Sequence, residues 1–321
     1  MKVFGNNIKR DKSFKALAPL VSARKKAENR CGFFMVLVPL IGFAFFTVYP
    51  MLWVLVTSFF DYDMITYEFC GVENYLRVFN DPGYWQSVWF TIKIVLLTNI
   101  IQIPLALFVA ILLNSKKVVG KTLLRTVFYM PNIISIAIVG LIFSFLFSSY
   151  DGIVNNILEA IGLIDKPISW FSTTNGATFV IVIVSIWGGM GVNMLFFLSG
   201  LAGIPQELYE AAEIDGAGKW QIFRNITWPM LKPMLQIILM LSITSGLKSS
   251  DLILTLTNGA PGGTTEVVMT YLLKKFIPYD SMEFVPQLGY ASSLGIVTSV
   301  IIGIITIVYF RTTKKMGESI Y

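Results

Sequence analysis

The chain has 321 residues, 55% hydrophobic and 14% charged, with a formal net charge of +6, no histidine and two cysteines. A charged share well below the roughly 25% of soluble domains leaves more apolar surface than one soluble core can hide, so the composition points to a polytopic membrane protein. The missing histidine removes imidazole-ligated metal sites, Ser-His or Cys-His catalysis and histidine proton relays.

Residues 1–30 carry nine Lys/Arg against Asp11 and Glu28. They read as a basic tail on a membrane surface, or as a specific lipid or partner site; the net charge does not call for nucleic acid. Residues 31–60 contain no charge and are too long for the apolar core of a signal peptide, so they read as a first span over about 33–60, with Pro39 and Pro50 kinking it or marking its ends. Cys31 and Cys70 fall on opposite sides of this span and cannot pair within one chain. The hydropathy pattern predicts further spans over about 88–113, 127–147, 179–201, 234–254 and 288–310, with Lys93 able to snorkel from the second. The expected fold class is all-α: one transmembrane domain over 31–321 with six helices and a polar helical loop at 203–230.

The basic residues set the expected orientation. Nineteen of the 25 Lys/Arg fall in the tail, in 114–126, around 203–232 and in the C-terminal segment, against four in the intervening loops. Both termini and the 203–230 loop are therefore expected in the cytoplasm.

Few motifs carry chemistry. Gly120-Lys121-Thr122 ends like a phosphate loop, but Ser115 stands where its first glycine is needed and no strand precedes it, so no nucleotide site is expected. Glu207, Glu210, Glu213 and Asp215 lie in the polar loop, and no carboxylate pair shares a membrane face, so an enzyme is not expected and no cofactor or metal is implied. Lys248 and Asp251 are three residues apart in the fifth expected span; they read as a mutual pair or as functional intramembrane charges.

In the 203–230 loop, Pro205 suits a helix start and Glu207 and Glu210 its N-terminal half. Leu208, Ala211, Ala212 and Asp215 share one face, Asp215-Gly216-Ala217-Gly218 breaks the helix, and a second short helix is expected over about 219–227 before Pro229 and Pro233 re-enter the membrane. By physics alone this is either a surface linker or a docking surface.

Glu210-Ala211-Ala212-x-x-Asp215-Gly216-Ala217, followed by Phe223-x-x-Ile226 and Pro229-x-x-x-Pro233, resembles the EAA motif of ABC-importer permease subunits, and more narrowly the sugar-type permeases related to the maltose importer. Arg125-Thr126-x-x-Tyr129-x-Pro131 and Thr257-Asn258-Gly259-Ala260-Pro261-Gly262 agree in order, and the resemblance covers about 33–311. It implies a bacterial inner-membrane permease of type I importer fold. The implied partners are a second permease subunit, two ATP-hydrolysing subunits, an extracellular solute-binding protein and a carbohydrate substrate. Within the loop it implies that Glu210 makes a charge-assisted contact to the ATPase, that Ala211, Ala212 and Ala217 permit close packing, that Gly216 permits the turn, and that Leu208, Trp220, Phe223 and Ile226 supply apolar burial, with Asp215 and Pro229 completing the motif. It places a substrate path at Gly188, Gly189 and Val192 before the loop and at Ser242, Ser245, Gly246 and Ser249 after it, with Trp187 and Asn193 flanking. Plain helix packing through small residues is the alternative at these positions. A self-contained secondary transporter or channel is the alternative from another class; it needs coupling charges in the spans, and no acid lies at mid-depth.

Overall fold

The structure, a computed structural model, describes residues 32–115, 118–277 and 285–317. The basic tail with Cys31, and Lys116 and Lys117, lie outside the described residues. Two compact units divide at Thr57–Ser58.

The first unit contributes helix α1, Gly32–Thr57. At about 1.5 Å per residue it is about 39 Å long, enough to cross a hydrocarbon core of about 30 Å. A π-helical turn, Ala44–Val48, immediately precedes Tyr49-Pro50. Pro50 cannot donate to the preceding turn, and the wider turn absorbs that loss, so this proline distorts the helix without ending it.

The second unit opens with a hairpin within the polar stretch after the first span: β1, Phe60–Tyr62, pairs antiparallel with β2, Tyr67–Phe69. Asn74 Nδ2 donates to the carbonyls of Ser58 at 3.2 Å and Phe60 at 2.9 Å. Helix α2, Glu73–Phe79, leads to α3, Pro82–Asn114. Asp81 caps α3 by accepting from the amides of Gly83 at 2.9 Å and Tyr84 at 3.3 Å, with Pro82 in the first turn.

The expected third span is broken. Helix α4, Lys121–Ile133, and α5, Ile136–Leu146, meet at a 94° bend. Pro131 weakens the last turn of α4 by removing a donor, and Ile134 is extended, so the unbroken hydropathy concealed a corner. A short helix α6, Ile153–Ala160, precedes α7, Thr174–Ala202, and the loop helix α8, Gln206–Ile214. The expected short helix at 219–227 is instead the start of one continuous helix α9, Lys219–Leu247, with a π turn at Phe223–Thr227. The π turn directly precedes Trp228-Pro229, and its wider turn absorbs the donor that Pro229 lacks, so the proline does not end the helix. The fifth span also ends earlier than expected: α9 stops at Leu247, and α10, Asp251–Leu256, follows as a separate helix. Lys248 and Asp251 therefore share no helical face, and among the described residues no ion pair joins them; Asp251 accepts from Ser250 Oγ at 2.9 Å. Helices α11, Val268–Phe276, and α12, Leu288–Gly317, complete the unit.

Helices α3 and α7 are parallel neighbours along their lengths. Phe90 and Ile94 of α3 join Val180, Ile181 and Val184 of α7 in one apolar cluster with Val139, Leu252, Ile253 and Val267. Val109, Ala110 and Leu113 join Met194, Phe197 and Leu198 in a second cluster with Leu231 and Ile238 of α9. The first cluster marks the hairpin end of the molecule and the second the α8 end. A third, with Val78, Tyr84, Val268, Tyr290 and Leu294, fixes α12 beside the hairpin end.

Asp81 also ties this end together. Tyr271 of α11 donates to Asp81 Oδ2 at 2.6 Å, and the Tyr290 hydroxyl of α12 donates to the same oxygen. Arg77 lies 4.4 Å from the Tyr290 ring centre and donates to Gln287 Oε1 at 3.0 Å. Burial works against the Asp81 charge, but the tyrosine hydroxyls and helix amides outweigh it and hold its pKa below the ordinary 3.8. A depressed folded-state pKa stabilises above the ordinary value and is lost as pH falls through the folded one. Asp81→Asn should lower unfolding stability by about 2 kcal/mol at neutral pH. In thermal unfolding of the purified protein the gap to wild type should be constant above about pH 5 and close below the ordinary carboxylate value; a pH-independent gap contradicts the charged role.

Candidate functional site

A cavity of about 490 Å³ lies between α3, the α4–α5 corner, α7, α9 and α10. That is within the roughly 300–1,000 Å³ range of small-molecule sites. Its wall includes Gly188, Gly189, Val192 and Asn193 of α7 and Ser242, Ser245, Gly246 and Ser249 from α9 and the break after it. All the positions nominated from the sequence are thus brought together except Trp187, which packs its ring 5.4 Å from that of Phe143 on α5. One residue is about 100° around a helix, so Trp187 is turned away where Gly188 is not.

The glycines here set helix spacing. A Cβ on Gly246 would meet Val95 Cγ2 at 2.8 Å, which lets α9 approach α3. A Cβ on Gly189 would occupy the place of the Gln102 side-chain amide, and one on Gly191 would collide with the Phe128 carbonyl. Gly188 is different: its open side meets only Ile136 Cδ1 at 3.7 Å. Packing and cavity formation are therefore the work of different glycines in one short stretch.

Polar cavity groups missed in the sequence are Thr91, Thr98, Asn99 and Gln102 of α3, Asn132 of α4 and Ser185 of α7. In α3 they recur at the spacing of one helical face, a signal that was readable but sat within a long apolar run. Asn193 Oδ1 lies 3.5 Å from Ser242 Oγ across α7 and α9. Among the described residues no ionisable side chain lines this cavity, and its wall includes the apolar set Ile94, Ile181, Leu252, Ile253 and Val267.

The loop at the other end is built on α8. The helix stops because Gly216 takes φ +78°, and the Ala217 amide reaches back to the Ala212 carbonyl at 2.9 Å. Tyr209 anchors the loop: it packs on the second cluster and its hydroxyl lies 3.1 Å from Thr227 Oγ1. Ile226 packs on the same cluster. Trp220 stacks on Phe223 at 5.5 Å, and Phe223 lies 6.4 Å from Trp228. Leu208, Glu210, Ala211, Asp215, Gly216 and Trp220 are exposed, while Ala212, Ala217, Phe223, Ile226 and Pro229 are half-buried. Glu210 accepts from Gln206 Nε2 at 3.0 Å. Ile214, overlooked in the sequence, is 87% exposed and is a further exposed apolar side chain of the loop.

Residues 102–317 match the family described as binding-protein-dependent transport system inner membrane component. The chain belongs to this family. The permease is 32% identical over 281 residues to the arabinooligosaccharides transport system permease protein AraP of Bacillus subtilis, covering 87% of each chain. It is 31% identical over 294 residues to the lactose transport system permease protein LacF of Rhizobium radiobacter, covering 92% of this chain and 97% of that one. Its fold matches a chain of a bacterial ABC transporter involved in the import of the acidic polysaccharide alginate, with TM-score 0.76 and 22% identity over 96% of this chain and 99% of that one. The fold is that of a type I importer permease, and the protein is a transport subunit rather than an enzyme.

The glycine contacts separate two outcomes in the permease. Gly191→Val should cost about 3 kcal/mol or more, because backbone lies where the side chain would go. Gly188→Ala should change stability by less than about 0.5 kcal/mol. Thermal unfolding of both purified variants checks this; equal effects contradict the assigned spacing roles.

Proposed function

We propose that the permease forms half of the membrane path of an ATP-driven carbohydrate importer, paired with a second permease subunit and served by two ATPase subunits and an extracellular solute-binding protein. The observation that carries this reading is a cavity, largely apolar with several amide and hydroxyl side chains, walled in part by the two helices, α7 and α9, that enter and leave the α8 loop. The sugar names of the relatives support the substrate class, and one solved relative is an alginate transporter in complex with a periplasmic protein bound to an alginate pentasaccharide.

In this reading both termini and α8 face the cytoplasm, in keeping with the basic residues. The exposed side chains Leu208, Glu210, Ile214 and Trp220 of the loop dock on an ATPase subunit. The Tyr209 and Ile226 contacts to the second cluster make α8 move with α3, α7 and α9 rather than flex alone. Closure of the ATPases then turns the cavity from one side of the membrane to the other, as rigid-body alternating access. A cavity wall without ionisable groups fits a solute driven by ATP better than one coupled to protons or ions.

Glu210→Lys combined with Ile214→Glu should release the ATPase subunits or uncouple them, lowering sugar import by the assembled complex at least tenfold. Both side chains are exposed, so folding of the permease is retained. Import at the wild-type rate in that variant contradicts the docking role. The purified permease alone should neither bind nor hydrolyse ATP, and hydrolysis by the single chain contradicts its place as a transport subunit.

A further inference from the structure

Helix α4 carries a cation to which the fold supplies no counter-ion. Between Asp81 and Asp151 the sequence has no Asp or Glu but five basic residues, Lys93, Lys116, Lys117, Lys121 and Arg125. Lys121, Arg125, Phe128 and Asn132 recur at the spacing of one face of α4. That face is turned to the protein: Phe128 packs on the second apolar cluster and Asn132 lines the cavity. Helices α3 and α7, which α4 meets there, contain no acidic residue. Arg125 is half-buried, and its Nε is enclosed without a hydrogen-bond partner. Among the described residues no hydrogen bond or ion pair reaches its guanidinium. The two terminal nitrogens are not enclosed as Nε is, so an external group meets those two. Lys121, one turn earlier, is directed at the Asn114 carbonyl, 3.5 Å away. The other face of α4 is apolar and exposed through Leu123, Val127 and Met130, and the adjoining end of α3 exposes Phe108 and Leu112.

A half-buried guanidinium among apolar helices is costly until an anion pairs with it. We propose that Arg125 and Lys121 bind the phosphodiester headgroup of an anionic phospholipid at the α8 end of the bundle. The terminal nitrogens of an arginine form a planar fork that matches two phosphate oxygens, and a lysine one turn away adds a point charge to the same group. The occupant is a lipid rather than a free phosphate because the cations adjoin apolar surface on α3 and α4: acyl chains cover Phe108, Leu112, Leu123 and Val127 while the headgroup reaches the cations. Protein carboxylates of the chain itself do not compete, since neither helix packed against α4 has one. The lipid therefore fixes α4, the helix that carries Asn132 to the cavity wall and ends at the corner with α5. The site is separate from the cavity and from the exposed side chains of the α8 loop.

The test is lipid binding to the delipidated full-length chain in detergent, with phosphatidylglycerol, phosphatidylcholine and inorganic phosphate as probes. Native mass spectrometry counts bound lipid, and thermal unfolding reports its effect on the fold. Wild type should bind phosphatidylglycerol about tenfold more tightly than phosphatidylcholine. Its unfolding midpoint should rise with phosphatidylglycerol and not with inorganic phosphate. Arg125→Gln should weaken phosphatidylglycerol binding about tenfold and remove the midpoint rise. Without lipid Arg125→Gln should unfold no lower than wild type, because the charge it removes has no partner in the fold. Lys121→Gln should weaken binding about threefold. Arg311→Gln, which removes an exposed charge from α12, should leave binding within about twofold of wild type. Equal losses in Arg125→Gln and Arg311→Gln overturn the site in favour of diffuse surface attraction, and equal binding of the two lipids overturns it outright. A midpoint rise with inorganic phosphate equal to that with phosphatidylglycerol overturns the lipid assignment. Unchanged lipid binding in Arg125→Gln, with loss of ATPase subunits from the assembled transporter, overturns it in favour of a protein carboxylate as the partner.

Discussion

The rest of the molecule depends on how closely α3, α7 and α9 approach one another. Between membrane helices the hydrophobic effect gives no preference for helix over lipid, so contact is decided by shape. Glycine supplies that shape at several levels: Gly200 admits Leu231, Gly191 admits the Phe128 backbone, Gly189 admits Gln102 and Gly246 admits Val95. Where the glycine has no close neighbour, at Gly188, the helices part and the cavity opens. The same bundle is thus closed at these glycines and left open in a cavity of about 490 Å³.

Two chain breaks sit at that level. The α4–α5 corner places Asn132 and Ile136 on the cavity wall, and the α9–α10 break places Ser249 and Leu252 there. Inside a membrane, non-helical backbone is tolerated only where it is buried in protein or lines a water-accessible space, so breaks and cavity belong together. Helices α5 and α10 pack on each other, with Thr255 seated against Gly140 and Leu252, Leu256 and Val139 in one apolar cluster. They follow the two breaks and pack against the hairpin-end halves of α3 and α7. The Asp81 cluster holds α3, α11 and α12 together at the same end.

The sequence revealed more of the motif than of the geometry. The long spans α3, α7 and α12 and the polar loop were legible because hydropathy is a property of runs, and the loop residues were legible because charge and small size interrupt such a run. The corner at Ile134–Ser135 was not, since Ile133, Ile134 and Ile136 read alike in a span or a bend. The break after Leu247 was written in Lys248-Ser249-Ser250-Asp251, four polar residues that one continuous helix had to absorb as a charge pair. The α7 and α9 positions nominated from the sequence line the cavity, while Thr98, Asn99 and Gln102 were passed over because a few amides and hydroxyls barely lower the hydropathy of a 33-residue helix. Trp187, expected beside the path, packs on Phe143 and does not line the cavity.

The central claim is that this cavity is part of a path whose opening alternates between the two membrane faces. Its most direct test is the accessibility of a single cysteine at Ser245, in a chain with Cys31 and Cys70 replaced by serine, to a membrane-impermeant maleimide in the assembled transporter. The account predicts labelling from the side that carries α8 at rest, and from the opposite side when ATP and vanadate trap the closed ATPases. Labelling confined to the same side in both states would contradict it.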